Sequence, residues 1–474
     1  MIRTNTALLC FFILAAAMTT LIVPGVIADP FFGGDEAHRM HMAQYPVIRL
    51  DNRVWLPMLQ MHIWGIYQFR PPLYVFNLIP VFYYFAAIVL VGMLAFSQSG
   101  RDRSGLVFSL ALAFCFSRQE MIMSLGMSLM QEIIGVALFL MLLQAGALEL
   151  RKKWWLFLIV VLALLTRDDF WIYLFVVSLL NWRKILSDRN YTYSFFAIWA
   201  VPAFWLLMIP FGYWFVDGRF PDFPTEWPLG INKDANEGVS DLHASLASLR
   251  LSLARTGIGY FVAGLLALWG VLQAYRLIKG KHIVPAGNLG EVFKPFSLAS
   301  LGVIYALIIL FDPFQATPGA TRMSFPLLVH AFVWAIVLFA EACASHRAMR
   351  YVAVVLIFSG LAMSLKVEPF LLHAQDYTQV NRVYQEIEGD LDLLVPDQQA
   401  PVCIIDKEYF SALRMLLPPM FYRKLIMLAQ TENPNPDDCA VIFIPAGNGQ
   451  LAGAGLRAYK DYLIDGYAYT LYVR

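Results

Sequence analysis

The segment Phe31-Phe32-Gly33-Gly34-Asp35-Glu36-Ala37-His38-Arg39 follows the first long apolar run of this 474-residue chain and gathers two carboxylates, an imidazole and a guanidinium. Its two glycines allow a sharp turn, and the adjacent acids come directly after it. On a helix begun at Asp35, His38 and Arg39 stand three and four positions on, so Asp35, His38 and Arg39 share a face. A carboxylate kept at an apolar boundary has its pKa raised toward that of a useful base. The competing reading is a glycine turn followed by acids that the positive end of a helix favours.

Other ionisable groups recur at the ends of apolar runs. Glu132, in Ser128-Leu129-Met130-Gln131-Glu132, begins one such run, and a carboxylate so close to a membrane core is a functional candidate by default, with a solvated helix start as its alternative. Arg167, Asp168 and Asp169 separate two short apolar runs and read either as substrate ligands or as an ion-paired turn. Arg322 follows Thr317-Pro318-Gly319-Ala320-Thr321 and either holds an anion or snorkels to headgroups. Arg53-Val54-Trp55-Leu56-Pro57 leads into the amphipathic, aromatic-rich stretch Met58–Phe69, which suits packing or an interfacial position. Taken together, these junctions supply what displacement at an anomeric carbon needs: a base for the acceptor's proton, and cations to hold a leaving phosphate as its charge grows.

The elements that must position these groups are apolar. Hydrophobic residues make up 59% of the chain and charged residues 15%, against ~45–50% and ~25% in soluble domains. The net charge is +1, with no Lys/Arg block dense enough to track a phosphodiester backbone, so nucleic acid is excluded as a partner. A bilayer core of ~30 Å needs about 20 residues of helix. Runs of about that length fall near 7–28, 72–96, 128–148, 192–216, 256–277, 296–312, 323–343 and 349–365, with shorter runs at Leu106–Ser117, Trp154–Thr166 and Phe170–Leu180. Joining the last two would bury Arg167, Asp168 and Asp169 at mid-bilayer, at ~2.5–3.5 kcal/mol each.

Kept apart, they give eleven spans. With the N-terminus inside, every inner turn is then basic: Arg101 and Arg103; Arg151, Lys152 and Lys153; Arg183, Lys184 and Arg189; Arg276, Lys279, Lys281 and Lys294; Arg347 and Arg350. The outer side receives the Asp29–Arg70 loop, Arg118–Glu120, Arg167–Asp169, the Asp217–Arg255 loop and Asp312–Arg322. The first run is longer than a secretory signal core and reads as a retained span, with cleavage after Val26-Ile27-Ala28 as the alternative. The expectation is an all-α polytopic membrane protein of about 11 helices over residues 1–365. A small extracytoplasmic α/β domain follows over 366–474, with a helix at Tyr377–Leu391, β runs at Val402–Ile405, Ala440–Ile444 and Tyr469–Val473, and an amphipathic stretch at Leu451–Leu463. Cys403 and Cys439 lie in that exported tail, where a disulfide and two free thiols are both open.

In its order of motifs the chain resembles the GT-C superfamily of membrane glycosyltransferases, which contains protein O-mannosyltransferases and the aminoarabinose transferases of lipid A. The resemblance covers roughly residues 1–365. It rests on the Asp35-Glu36 opening of the first external loop, Trp55-Leu56-Pro57, the Ser128-to-Glu132 helix start, Leu165-Thr166-Arg167-Asp168-Asp169, and the Arg322-to-Pro326 segment. What it implies is a polyprenyl- or dolichyl-phosphate sugar donor, an acceptor glycan, lipid or protein in the cell envelope, inversion at the anomeric carbon, and Asp35 as base. Glu36 would assist it, with His38, Arg39, Glu132, Arg167, Asp168, Asp169 and Arg322 toward the substrates. Some members hold a divalent cation, Mg or Mn, on external-loop carboxylates; this sequence has no clear Asp-x-Asp or Asp-x-Glu pair in its second external region, so no metal ligands are assigned. The rival from another class is a transporter or lipid-binding protein that uses the same charges without catalysis. Transporters favour mid-bilayer sites and paired repeats, whereas these charges lie at the outer boundary and no repeat is visible.

Overall fold

The computed structural model describes residues 2–28, 34–42, 57–99, 101–127, 129, 131–145, 154–166, 170, 178, 182–217, 278, 351–362, 377–406, 409–427, 439–446, 455–464 and 466–473. Two helices, α1 (Thr4–Ala28) and α4 (Tyr74–Gln98), each run 25 residues, or ~37 Å at ~1.5 Å per residue. Both are long and apolar enough to cross a membrane. They pack together through Gly92, where an added Cβ would stand 2.4 Å from the Phe11 ring. The missing side chain is what lets the two backbones approach. At one end of the pair the Ile2 amide donates to the Arg101 carbonyl (2.9 Å), which ties the start of α1 to the turn after α4.

Between α1 and α4 lie α2 (Gly34–Met42) and α3 (Pro57–Tyr67). After α4 come α5 (Arg103–Ser117), α6 (Glu120–Met127), α7 (Gln131–Ala145) and α8 (Trp154–Leu164). The Asp102 carboxylate caps α5 by accepting from the Gly105 amide at 2.7 Å. Helix α6 was not expected from the sequence. It exists because α5 stops at Ser117, whose carbonyl accepts from the Tyr84 hydroxyl (2.8 Å), and the chain restarts two residues later. Helices α9 (Trp182–Ser187), α10 (Arg189–Asp217) and α11 (Tyr351–Ala362) complete the described part of the bundle. Leu9, Ile13, Phe196, Phe204, Val355 and Phe358, on α1, α10 and α11, are exposed apolar side chains. The runs expected at 256–277, 296–312 and 323–343, and most of 170–180, lie outside the described residues.

The C-terminal unit is a mixed sheet with helices on one face. Its elements are α12 (Tyr377–Leu394), β1 (Val402–Ile404), α13 (Tyr409–Met420), β2 (Leu425–Met427), β3 (Val441–Pro445), β4 (Arg457–Ile464) and β5 (Tyr467–Val473), with strand order β2-β1-β3-β5-β4. The first three strands are parallel, and β3, β5 and β4 are antiparallel. Ile387 and Leu391 of α12 and Leu416 and Met420 of α13 join Val402, Ile404, Phe443 and Leu471 in one buried core. On the opposite face Cys403 and Cys439 form a disulfide among Ile442 and Ile444. The expected amphipathic stretch at Leu451–Leu463 is instead strand from Arg457 onward. Tyr462 and Ile464 are buried at a spacing of two, and Gly466, at φ +82°, supplies the left-handed turn that returns the chain as β5.

Candidate active site

The acid-bearing segment folds as the short helix α2, with Asp35 and Glu36 in its first turn and His38 and Arg39 one turn further on. Acids at this position are stabilised by the exposed N–H groups and the helix dipole. Further along α2, Ala37, Arg39, Met40, His41 and Met42 are all buried. Arg39 is only 2% exposed, so its guanidinium is walled in by protein rather than standing open at the surface.

Two structures hold α2. From α3, the Gln60 side-chain amide donates to the Arg39 carbonyl at 3.1 Å. From the C-terminal unit, α13 packs along it, and His41 Nε2 lies 3.3 Å from the Leu425 carbonyl. The same unit grips the turn between α3 and α4. Arg70 donates to the Gln398 side-chain oxygen (2.9 Å), and the Tyr422 hydroxyl donates to the Pro71 carbonyl. Tyr422 stacks on Tyr67 (5.4 Å between centroids), and Phe421 meets Tyr67 and Phe76 edge-on, each at 5.2 Å. Burial first, and then the neighbouring Tyr67, push the Tyr422 hydroxyl up to about 12 against the pull of Arg70, so it remains a proton donor at neutral pH.

Helix α3 is fixed in turn by His62. Its Nδ1 is 2.8 Å from the Met58 carbonyl, which can only accept, so that nitrogen carries the proton and Nε2 is left to accept from the Tyr83 hydroxyl at 3.2 Å. His41, His62 and the Tyr67–Tyr422 stack escaped the sequence reading. His41 sits two residues beyond the recognised cluster, but its partner is 384 positions away and leaves no local mark.

Glu132 lies in the first turn of α7 and is buried. It shares an end of the bundle with α2. Met127, closing α6, has its sulfur 3.9 Å from where a Cβ on Gly25 would sit, in the last turn of α1, and α7 starts four residues later. The turn that follows α8 reaches the same end, because the Leu165 carbonyl accepts from the Met58 amide at the start of α3 (3.0 Å). Thr166 is fully buried there. The structure therefore gathers α2, the start of α7 and the approach to Arg167 at one end, opposite the Arg101–Arg103 turn. Arg167, Asp168, Asp169 and Arg322 lie outside the described residues, as do the side chains of Asp35, Glu36 and His38. Among the described residues no three His, Cys, Asp or Glu side chains gather as metal ligands.

No protein-family model and no curated protein matches the chain. A solved structure does: the crystal structure of ArnT from Cupriavidus metallidurans bound to undecaprenyl phosphate, with a TM-score of 0.57 over 97% of this chain and 97% of that one. The chain shares the fold of that structure. At 12% identity the likeness establishes architecture and leaves the reaction to be argued from the residues.

Proposed function

We propose that this protein transfers a sugar from a polyprenyl-phosphate carrier to an acceptor on the extracytoplasmic face of a membrane, with inversion at the anomeric carbon. The observation that carries the reading is the acid-bearing helix α2, placed on an ArnT-like architecture at the end of the bundle shared with Glu132. The ArnT structure was solved with undecaprenyl phosphate bound, which supports a lipid-phosphate donor of that class here.

In the reaction the acceptor hydroxyl attacks the anomeric carbon as its proton passes to the Asp35 carboxylate. The bond from that carbon to the carrier's phosphate oxygen breaks, and the electron pair leaves with the polyprenyl phosphate. Phosphate is already a good leaving group, so one carboxylate base suffices for a single displacement. Glu36 orients Asp35 or holds the donor, Arg167 and Arg322 stabilise charge growing on the phosphate, and the enclosed Arg39 acts on that charge through the protein rather than by direct contact. His38, Glu132, Asp168 and Asp169 serve substrate binding.

The sidedness rests on two observations. The C-terminal unit meets the bundle at the Arg70–Tyr74 end of α4, opposite the basic Arg101–Arg103 turn that the positive-inside rule assigns to the cytoplasm. A disulfide in that unit suits an oxidising compartment. The test is a transfer assay with purified protein in lipid, radiolabelled polyprenyl-phosphate sugars and membrane lipids as acceptors. The expected result is a labelled product whose anomeric configuration is opposite to the donor's. Donor binding without any transfer, across the sugars tried, would favour a lipid-binding protein instead.

A further inference from the structure

Helix α2 has only nine residues, and isolated helices shorter than ~12–15 residues are marginal in water. Its pose must therefore come from what packs on it. Among the described elements α13 packs most extensively on α2, and the segment 421–425 that follows it adds the His41–Leu425 contact. Leu425 is the first residue of β2, so its carbonyl is fixed by the sheet at the edge that faces α2. Because that carbonyl can only accept, His41 Nε2 donates to it. Phe421 and Tyr422 anchor the same segment on Tyr67, Phe76 and the Pro71 carbonyl. Arg423, buried beneath, donates to the Val395 carbonyl at 2.6 Å and pairs with Asp392, which ties the segment to α12.

We infer that the segment 421–425 of the C-terminal unit positions the acid-bearing helix, with His41 and Tyr422 as positioning residues for Asp35. The inference rests on the reading of Asp35 as base. Asp35 and His41 are six residues apart on one helix, or ~9 Å along its axis. Fixing the far end of so short a rod fixes the tilt of its first turn. Neither positioning residue touches substrate; they act by holding a carboxylate where a misplacement of ~1 Å can cost ~10²-fold in rate.

The test uses the full chain in lipid nanodiscs and compares His41→Ala, His41→Gln and Tyr422→Phe, with His41→Ala also placed in an Asp35→Asn background. In the unmodified chain His41→Ala is expected to lower kcat about 10-fold or more, with a smaller rise in donor KM because Glu36 and His38 ride on the same helix. His41→Gln, whose amide can still donate to the Leu425 carbonyl, should recover most of the loss. In the Asp35→Asn background His41→Ala should cost much less, because the base it positions is gone. Hydrogen exchange read directly at the α2 amides should quicken in His41→Ala and, to a smaller extent, in Tyr422→Phe, while β3 and β5 stay protected. Equal losses in both backgrounds, or unchanged α2 exchange, would overturn the positioning role. Full activity in Asp35→Asn alone would instead overturn the base, and the positioning of Asp35 with it.

Discussion

The α1–α4 pair and the C-terminal unit are held together by different forces. The α1–α4 pair is apolar contact: Phe11 fits the gap left by Gly92 and meets Phe96 edge-on at 6.4 Å. The C-terminal unit relies on covalent and polar ties. A disulfide joins its first strand to the approach to its third, and on the far side Asp390 gathers Lys460 (2.8 Å), Tyr462 (2.7 Å) and Tyr459 (3.4 Å). The register slip between Ala458 and Lys460 is what turns Tyr459 and Lys460 together toward α12. A span surrounded by lipid gains little from water-driven burial and depends on close fit. A small unit of limited core gains from cross-links and satisfied charges.

The largest expected effect that would sharpen this contrast is on the disulfide. Its cysteines are 36 positions apart, and closing a loop of that length is worth ~4 kcal/mol by chain entropy. Replacing Cys403 and Cys439 with serine should lower the unfolding temperature of the C-terminal unit while membrane insertion of the bundle is unchanged, as read by limited proteolysis on a temperature ramp. If insertion fails as well, the two regions are one cooperative unit and the contrast is wrong.

Next comes Gly92→Val, which overfills the Phe11 contact and should cost ~1–3 kcal/mol. Thermal unfolding in detergent should fall for the bundle with no change in the C-terminal unit. An unchanged melting temperature would mean that α1 and α4 do not meet at this residue.

The smallest effect belongs to Asp390 and Lys460. Burial tends to raise the Asp390 carboxyl, but hydrogen bonds from Lys460 and Tyr462 outweigh it and hold it below the usual 3.8; bonds to Asp390 and Glu386 hold Lys460 above the usual 10.5. The depressed acid contributes stability above pH 3.8 that is lost as pH falls through its lower folded value. The raised amine contributes stability below pH 10.5 that is lost as pH rises through its higher folded value. The Asp390–Lys460 pair should thus contribute evenly to the stability of the C-terminal unit between those limits and lose its contribution at each extreme. Lys460→Met should remove only ~0.2–1 kcal/mol, because the pair is solvent-accessible.

What the sequence made legible follows the same division. Apolar length alone located α1 and α4, since lipid imposes one requirement on a spanning helix and composition meets it. The Gly33-Gly34-Asp35-Glu36 pattern placed a helix start where α2 begins. Helix α13 was missed because Pro418 and Pro419 argue against a helix, yet they fall in its last turn, where the preceding residues carry it. Strand β2 is three residues long and looked like any apolar run. The burial of Arg39 was not legible, because α13 and β2 arrive from the other end of the chain.

The most direct measurement of the central claim is the rate of sugar transfer by Asp35→Asn, at saturating donor, in protein that inserts normally. Asparagine keeps the size and much of the hydrogen bonding of the side chain and also starts helices well, so stability should hardly change. General-base catalysis typically contributes ~10²–10⁴-fold, so kcat should fall by at least ~10²-fold while donor affinity stays as it was. A correctly inserted Asp35→Asn protein that transfers sugar at near the unmodified rate would contradict the account, leaving α2 and its neighbours as a binding surface only.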